Sequence, residues 1–388
     1  MYKQHYSRFL NARPGLLHCA PHSHYYWPDV TREAQLEYWD DSAQYVDEKW
    51  GYLFSEKVPY VQQGIARLLN VPDPGQVVFA PNTHELLYRA ISAFPYGKAL
   101  RILTTDAEFH SFNRQSRRLE ERGNVEVVRI PTEPFDTFAV RWAEAVASSP
   151  WDLIFISQVF YNSGVAAPLP KEWLAGVQRS DTIIMVDGYH GFAAIPTDWS
   201  EYADRVFYLA GAYKYGQAGE GCCFAVVPRD VTVRPEYTGW FADFASLAKS
   251  QEGPVAYAQN GMCMAGATID LSALYRFSAV LAWWQQEGLT PERICAYIRS
   301  LQHAFLAHID SLNDARLNRT TLLENGLERH GHFFTFRWGQ GDEAAAEVAA
   351  LAEQLKKQGV ATDFRYDRLR FGFALYHNAQ DYQQIRID

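Results

Sequence analysis

A lysine between two tyrosines, Tyr213-Lys214-Tyr215, opens a glycine-rich turn that contains Gly216, Gly219 and Gly221 and runs into the apolar stretch 222–227. Upstream, four apolar residues (183–186) end in Asp187, with His190 three positions further on. An amine in such a turn, following a strand-end carboxylate, is suited to a Schiff base with an aldehyde cofactor. The carboxylate would keep a pyridine nitrogen protonated, so that the ring accepts electrons. This division of labour suggests pyridoxal 5'-phosphate (PLP) and an enzyme. A solitary lysine would carry little weight, because most lysines are solvated surface groups. The acid, the histidine and the glycines lift Lys214 out of that background.

Other residues fall where a cofactor would need them. Asn82-Thr83 ends one apolar run and opens a helical pattern, a place where backbone N–H groups and a hydroxyl suit a phosphate. The same pair also suits an ordinary helix cap. Phe109 follows the next apolar run and either stacks on an aromatic cofactor or packs in the core. Ser157 ends a third run and can donate to a ring oxygen or a phosphate. His190 either touches the cofactor or is a satisfied structural histidine.

Positioning these groups calls for strands and helices in alternation. Apolar strands are expected at 77–80, 100–103, 125–130, 153–156, 183–186, 206–209 and 223–227. Helices are expected to start near 83, 111, 137 and 171, with earlier ones at 28–47 and 59–70. In the helix 28–47, Asp29 lies near the cap and Leu36 and Trp39 share a face. The pattern is that of an α/β fold with a mostly parallel sheet flanked by helices, in which ligands bind outside the carboxyl ends of the strands. Beyond residue 270, helices at 271–286, 291–312 and 342–358 and strands near 332–338 and 369–375 predict a smaller α+β lobe. The expected division is an N-terminal segment, 1–50, packing with the small lobe, a large domain over 51–270 and a small domain over 271–388.

Composition narrows the class. A formal net charge of −9 argues against nucleic acid as a main partner. No basic run marks a membrane surface, and neither a signal peptide nor an 18-residue apolar stretch is found. The five cysteines lack metal-ligand spacing, and no metal is expected; buried free thiols and a cytoplasmic location fit best.

Together these residues resemble the kynureninase branch of the class V aminotransferase superfamily, which has the fold type I PLP architecture. The resemblance runs almost end to end. It rests on Thr83, Phe109-His-Ser-Phe112, Ser157 with Gly164, Asp187-x-x-His190, Tyr213-Lys-Tyr215, Thr238-Gly-Trp240-Phe, and Arg370 with Ala374-Leu-Tyr-His-Asn378. It implies that Lys214 carries the cofactor, Asp187 pairs with its ring nitrogen and Phe109 covers the ring. Asn82, Thr83, Ser111, Ser157, His190, Tyr213 and Trp240 would complete the shell, with Tyr215 near the phosphate and available for proton transfer. Arg370 would clamp the α-carboxylate of an amino-acid substrate. A homodimer is implied, with Trp240 and Thr268 lent across the interface.

The departures concern the substrate. His22-Ser23-His24-Tyr25 replaces the family's Asn-Ser-Leu-Gly, while Asp47 and Gly266 stand where kynureninases place a histidine and an asparagine against the substrate's aryl ring. A glycine at 266 is expected to open volume, and His22, Ser23, His24 and Asp47 to meet a smaller or more polar side chain. The expected reaction is Cα deprotonation followed by kynureninase-like cleavage on a substrate other than kynurenine. An aminotransferase and a non-catalytic PLP-fold protein are the alternatives. A cysteine desulfurase is disfavoured, because no cysteine lies beyond Cys295 to act as nucleophile.

Overall fold

The computed structural model describes residues 2–246 and 253–387. Its strands are β1 (Leu17–His18), β2 (Val77–Ala80), β3 (Leu100–Thr105), β4 (Val125–Ile130), β5 (Leu153–Ser157), β6 (Ile183–Asp187), β7 (Phe207–Gly211), β8 (Cys223–Val226), β9 (Phe333–Phe336), β10 (Val360–Ala361), β11 (Asp363–Arg365) and β12 (Arg368–Gly372). Seven of them form the central sheet, in the order β2-β8-β7-β6-β5-β3-β4. Burial on both faces explains why β5 and β6 read as unbroken apolar runs. Alternate side chains feed two cores: Ile154, Ile184 and Tyr208 on one face, Leu153, Phe155 and Met185 on the other.

The sheet is parallel except at β8, which runs antiparallel to both β7 and β2. Two reversals restore direction, so β2 points the same way as β5 and β6. Its following helix, Thr83–Ser92, therefore begins at the sheet edge where Ser157 and Asp187 end their strands.

Two expectations about elements need correction. No α-helix starts near 171; two 3₁₀ turns, Pro170–Glu172 and Leu174–Gly176, join β5 to β6 instead. Pro170 opens the first turn and Gly176 ends the second, while Trp173 between them is buried edge-on to Trp142. The helix Val30–Tyr45 buries Thr31 and Ala34, and the face shared by Leu36 and Trp39 is turned outward. Asp29 does not cap that helix with its side chain. Its carboxylate accepts from the N–H groups of Ser7 and Arg8 (both 3.0 Å) and so caps the helix Ser7–Ala12.

The second sheet, β11-β12-β9, is antiparallel and packs with the helices Pro291–Ser311 and Gly341–Lys357. The N-terminal segment is laced into this lobe. β1 pairs with β10, Lys3 Nζ bonds Asp381 (2.8 Å), and the Leu375 N–H donates to Tyr25 Oη (2.7 Å).

Gly164 marks the contact between the two sheets. It has φ +78°, a conformation that favours glycine, and a Cβ there would sit 2.5 Å from the Phe333 carbonyl oxygen in β9. The Gly331 N–H also donates to the Gly164 carbonyl (2.8 Å). Gly164→Ala is expected to destabilise the fold by about 1–3 kcal/mol through backbone strain and steric overlap. A urea midpoint equal to that of the unaltered protein would contradict this.

Candidate active site

The carboxyl ends of β2, β5 and β6 and the turn after β7 surround a cavity of about 220 Å³. Its walls include Asn82, Thr83, Phe109, Ser111, Ser157, Asp187, His190, Tyr213 and Lys214, all singled out from the sequence. They also include His84, Val159, Tyr161 and Tyr189, which the sequence reading left unassigned. Asn82 is the helix cap: its Oδ1 accepts from the Glu85 N–H (2.9 Å). Capping and anion binding are compatible here, since the capped helix still presents its positive end to the cavity beside the Thr83 hydroxyl.

Lys214 is buried, and desolvation above all lowers its pKa to about 7. The positive charge of Arg370 pushes the same way, while Asp187 and Asp363 resist. Its Nζ is in hydrogen-bond contact with His190 Nε2. Burial, and then the Lys214 charge, hold His190 well below the ordinary range, so the imidazole is neutral. The same Nε2 lies 3.2 Å from the His22 carbonyl oxygen.

Asp187 accepts from the Tyr189 N–H (2.9 Å). Burial raises its pKa to about 6, with the Tyr189 hydrogen bond and the Lys214 charge opposing. A buried carboxylate in that condition lacks a strong cationic partner at the cavity wall, which a protonated ring nitrogen would provide. Tyr189 packs beside Lys214, whose Nζ is 5.4 Å from its ring centre. Gly211 makes this possible, because a Cβ there would come within 2.9 Å of that ring and 2.6 Å of Cys223 Sγ.

Glu108 was not anticipated. It is buried beneath Ser157, which donates to it from Oγ (2.5 Å) and N–H (3.2 Å), and Thr105 Oγ1 adds a third bond (2.7 Å). Burial pushes its pKa up to about 8, against these bonds and with help from the Asp187 charge. Glu108 thus fixes the Ser157 hydroxyl. The sequence did not single it out, because Glu108 follows the polar run Thr104-Thr105-Asp106. Phe109 stands at the mouth, edge-on to Tyr161 at 5.5 Å and 42% exposed, so its face is open to a ligand and not spent on the core.

Several expected residues lie elsewhere. Tyr215 is not part of the cavity wall and packs edge-on to His332 and Tyr25; its hydroxyl is buried without a partner among the described residues. Burial raises its pKa well above the usual value, so this phenol holds its proton. Trp240 and Thr268 bond each other (3.3 Å) on an exposed face outside the cavity wall. Gly266 opens no volume: its Cβ position is 2.1 Å from Arg89 Nη2, so the guanidinium fills that space. Arg89 itself is buried, bonded to Glu85 (2.6 Å). Asp47 and Ser23 are exposed. His24 Nδ1 reaches Tyr213 Oη (2.9 Å) at the cavity wall, whereas His22 is buried and stacked on Phe333 (4.5 Å). Arg370 is buried behind Tyr161, donating to that residue's carbonyl and to Asp363.

The residues present fit PLP. Lys214 offers an amine that is easily deprotonated, Asp187 an acid for the ring nitrogen, Phe109 an aromatic cover, and the helix end with Thr83 and Ser111 a phosphate seat. The model of the class V aminotransferases matches residues 27–363. No curated protein matches the chain by sequence. Among solved structures, the cystine C–S lyase C-DES, in complex with its product cysteine persulfide, superposes with a TM-score of 0.79 at 17% identity, over 96% of this chain and 97% of that one. A lysine mutant of C-DES with glycine covalently linked to the PLP cofactor gives 0.78 at 16% identity, over 97% of both chains. The cysteine desulfurase of Thermococcus onnurineus NA1 gives 0.77 at 15% identity, over 99% and 96%. At these identities the likeness is one of fold, and the kynureninase branch is not singled out. With most of its length matched and a lysine–aspartate cavity at the expected strand ends, the chain belongs to the class V aminotransferase family of PLP-dependent enzymes.

Proposed function

We propose that the enzyme acts on an α-amino acid, with Lys214 removing the Cα proton and a bond at the β-carbon breaking afterwards. The observation that carries this reading is the convergence of Lys214, Asp187 and neutral His190 on one cavity. PLP, when bound, supplies the electron sink for charge left at Cα. Lys214 Nζ, with its pKa near 7, can accept and return a proton at working pH. His190 steadies that amine, and Asp187 would hold the ring nitrogen. Tyr215, outside the cavity and with a tightly held proton, is not part of this transfer. Arg370 would anchor the substrate α-carboxylate.

Cleavage at Cβ is favoured over desulfuration to a protein thiol. Cys223 lies against Tyr189 with its thiol pushed up to about 11 by burial, and no cysteine follows Cys295. The kynureninase-like tail around Arg370 points to Cβ–Cγ cleavage, whereas the C–S lyase fold neighbour suggests loss of a sulfur substituent. Kynurenine itself is a poor candidate, because Asp47 is exposed and Arg89 fills the space at Gly266. We also propose a homodimer in the cytoplasm. The exposed rings of Trp240 and Phe244, each 40% exposed, and the Trp240–Thr268 pair suit an interface that brings them to a second active site. Among the described residues, no helix is long and apolar enough to cross a membrane.

Three measurements test this reading. Borohydride should fix the cofactor on the peptide containing Lys214, and Lys214→Ala should lose both the label and at least ~10³-fold in turnover; a label on another lysine would remove the assignment. Capture of PLP by the apoprotein needs the neutral amine, so its rate should rise with pH through about 7 and then level off. A rate still climbing toward about pH 10, as for an ordinary lysine, would show that burial does not tune the amine. In a screen of amino acids, alanine marks Cβ–Cγ cleavage, while pyruvate with ammonia marks elimination. Accumulation of the cofactor's amine form with a keto acid would overturn cleavage in favour of transamination.

A further inference from the structure

Arg370 and Asp363 stand directly opposite each other in the β11–β12 hairpin. Arg370 is 2% exposed; its Nη2 donates to Asp363 Oδ2 and its Nη1 to the carbonyl of Tyr161, a residue of the cavity wall. Its Nε is buried without a partner among the described residues. The planar fork suited to a substrate carboxylate is therefore already occupied by a carboxylate of the chain itself. Asp363 is also shared. Its Oδ1 accepts from Arg365 Nη1 at 2.7 Å, and His22 Nε2 lies 3.5 Å from Oδ2.

Counting charge shows what this cluster lacks. Arg365 and Arg370 carry two positive charges and Asp363 one negative. Burial keeps His22 neutral, with a pKa of about 3, so it adds nothing. One positive charge is left beside Lys214, whose own proton affinity responds to Arg370, Asp363 and Arg365 alike. A single incoming carboxylate would bring the cluster to neutrality. Arg365, whose side chain is 46% exposed, can keep Asp363 paired if the latter leaves Arg370. Such an exchange never leaves a buried guanidinium or a carboxylate alone, the state that makes broken ion pairs costly.

We propose that Asp363 is a specificity-determining residue: it occupies the carboxylate seat on Arg370 in the resting enzyme and passes to Arg365 when a substrate carboxylate enters, so that the site admits one carboxylate. This rests on the reading of Arg370 as the carboxylate anchor. Asp363 acts as an internal competitor, and the arginine pair would otherwise suit a dianion.

The test uses the holoenzyme and two simple probes, acetate and maleate, with Kd read from the shift in melting temperature. Asp363→Asn removes the competitor while keeping the shape, and should bind both probes at least ~10-fold tighter, with the larger gain for maleate. Its melting temperature should also be restored by the probes more than that of wild type. Arg365→Ala removes the receiver of Asp363 at a largely exposed position and should bind acetate ~10-fold more weakly. An Asp363→Asn enzyme that binds no more tightly, or an Arg365→Ala enzyme with unchanged Kd, overturns the exchange. If Asp363→Asn does not fold, the Arg365→Ala titration decides alone. Labelling of Lys214 by borohydride is indifferent to both results, so loss of the exchange and loss of the PLP reading are separable.

Discussion

A primary amine buried at a cavity wall holds its proton loosely, and the architecture around Lys214 bears on that one fact. Removing an ammonium from water is costly, so the neutral form gains as the site closes. Arg370 adds repulsion, and the contact with His190 cannot tolerate two protonated partners. Asp187 and Asp363 pull the other way and keep the amine near neutrality's edge, where it can both give and take a proton. Neither sheet accomplishes this alone: Asp187 ends β6 and His190 follows it, while Arg370 and Asp363 sit on the hairpin of the smaller sheet.

The same economy governs the sheet. Reversing β8 alone lets β2 deliver a helix end to the edge where β5 and β6 deliver Ser157 and Asp187. A helix N-terminus, a hydroxyl fixed by Glu108 and the Asp187 carboxylate thus face one space without any long loop to place them. Small residues make room at the tightest points, as Gly211 does for the Tyr189 ring.

What could be read from the sequence follows from how local the cause was. The central strands were legible because burial on both faces leaves continuous apolar runs, and Asn82, Ser157, Asp187 and Lys214 were legible because each sits at a strand end or in a turn just beyond. The turns around Pro170 and Gly176 were misread as a helix because Trp173, Leu174 and Val177 mimic helical spacing, although only Trp173 is buried and it lies between two 3₁₀ turns. Glu108, Tyr161 and Tyr189 were hidden, since their roles depend on which neighbouring strand covers them. Asp363 and Arg365 lie in a short strand that carries little apolar signal. The expectation for Gly266 failed for a different reason: residue type at one position says nothing of Arg89, which arrives from a distant helix to fill the gap.

The early residues reach the site only through late ones. His22 lends its carbonyl to His190 and His24 its ring to Tyr213, yet the segment that carries them is held by β10 through Leu17 and Val360 and by Asp381 through Lys3. On a ribosome, this segment must therefore wait for residues made more than three hundred positions later before it has a place to rest. The large sheet, whose pairings lie closer together in sequence, can form meanwhile. Lys214 would then stand uncovered in the growing chain, its amine still hydrated and protonated. The depressed proton affinity that suits it to its chemistry is thus a property of the finished molecule, acquired when segments far apart in sequence meet.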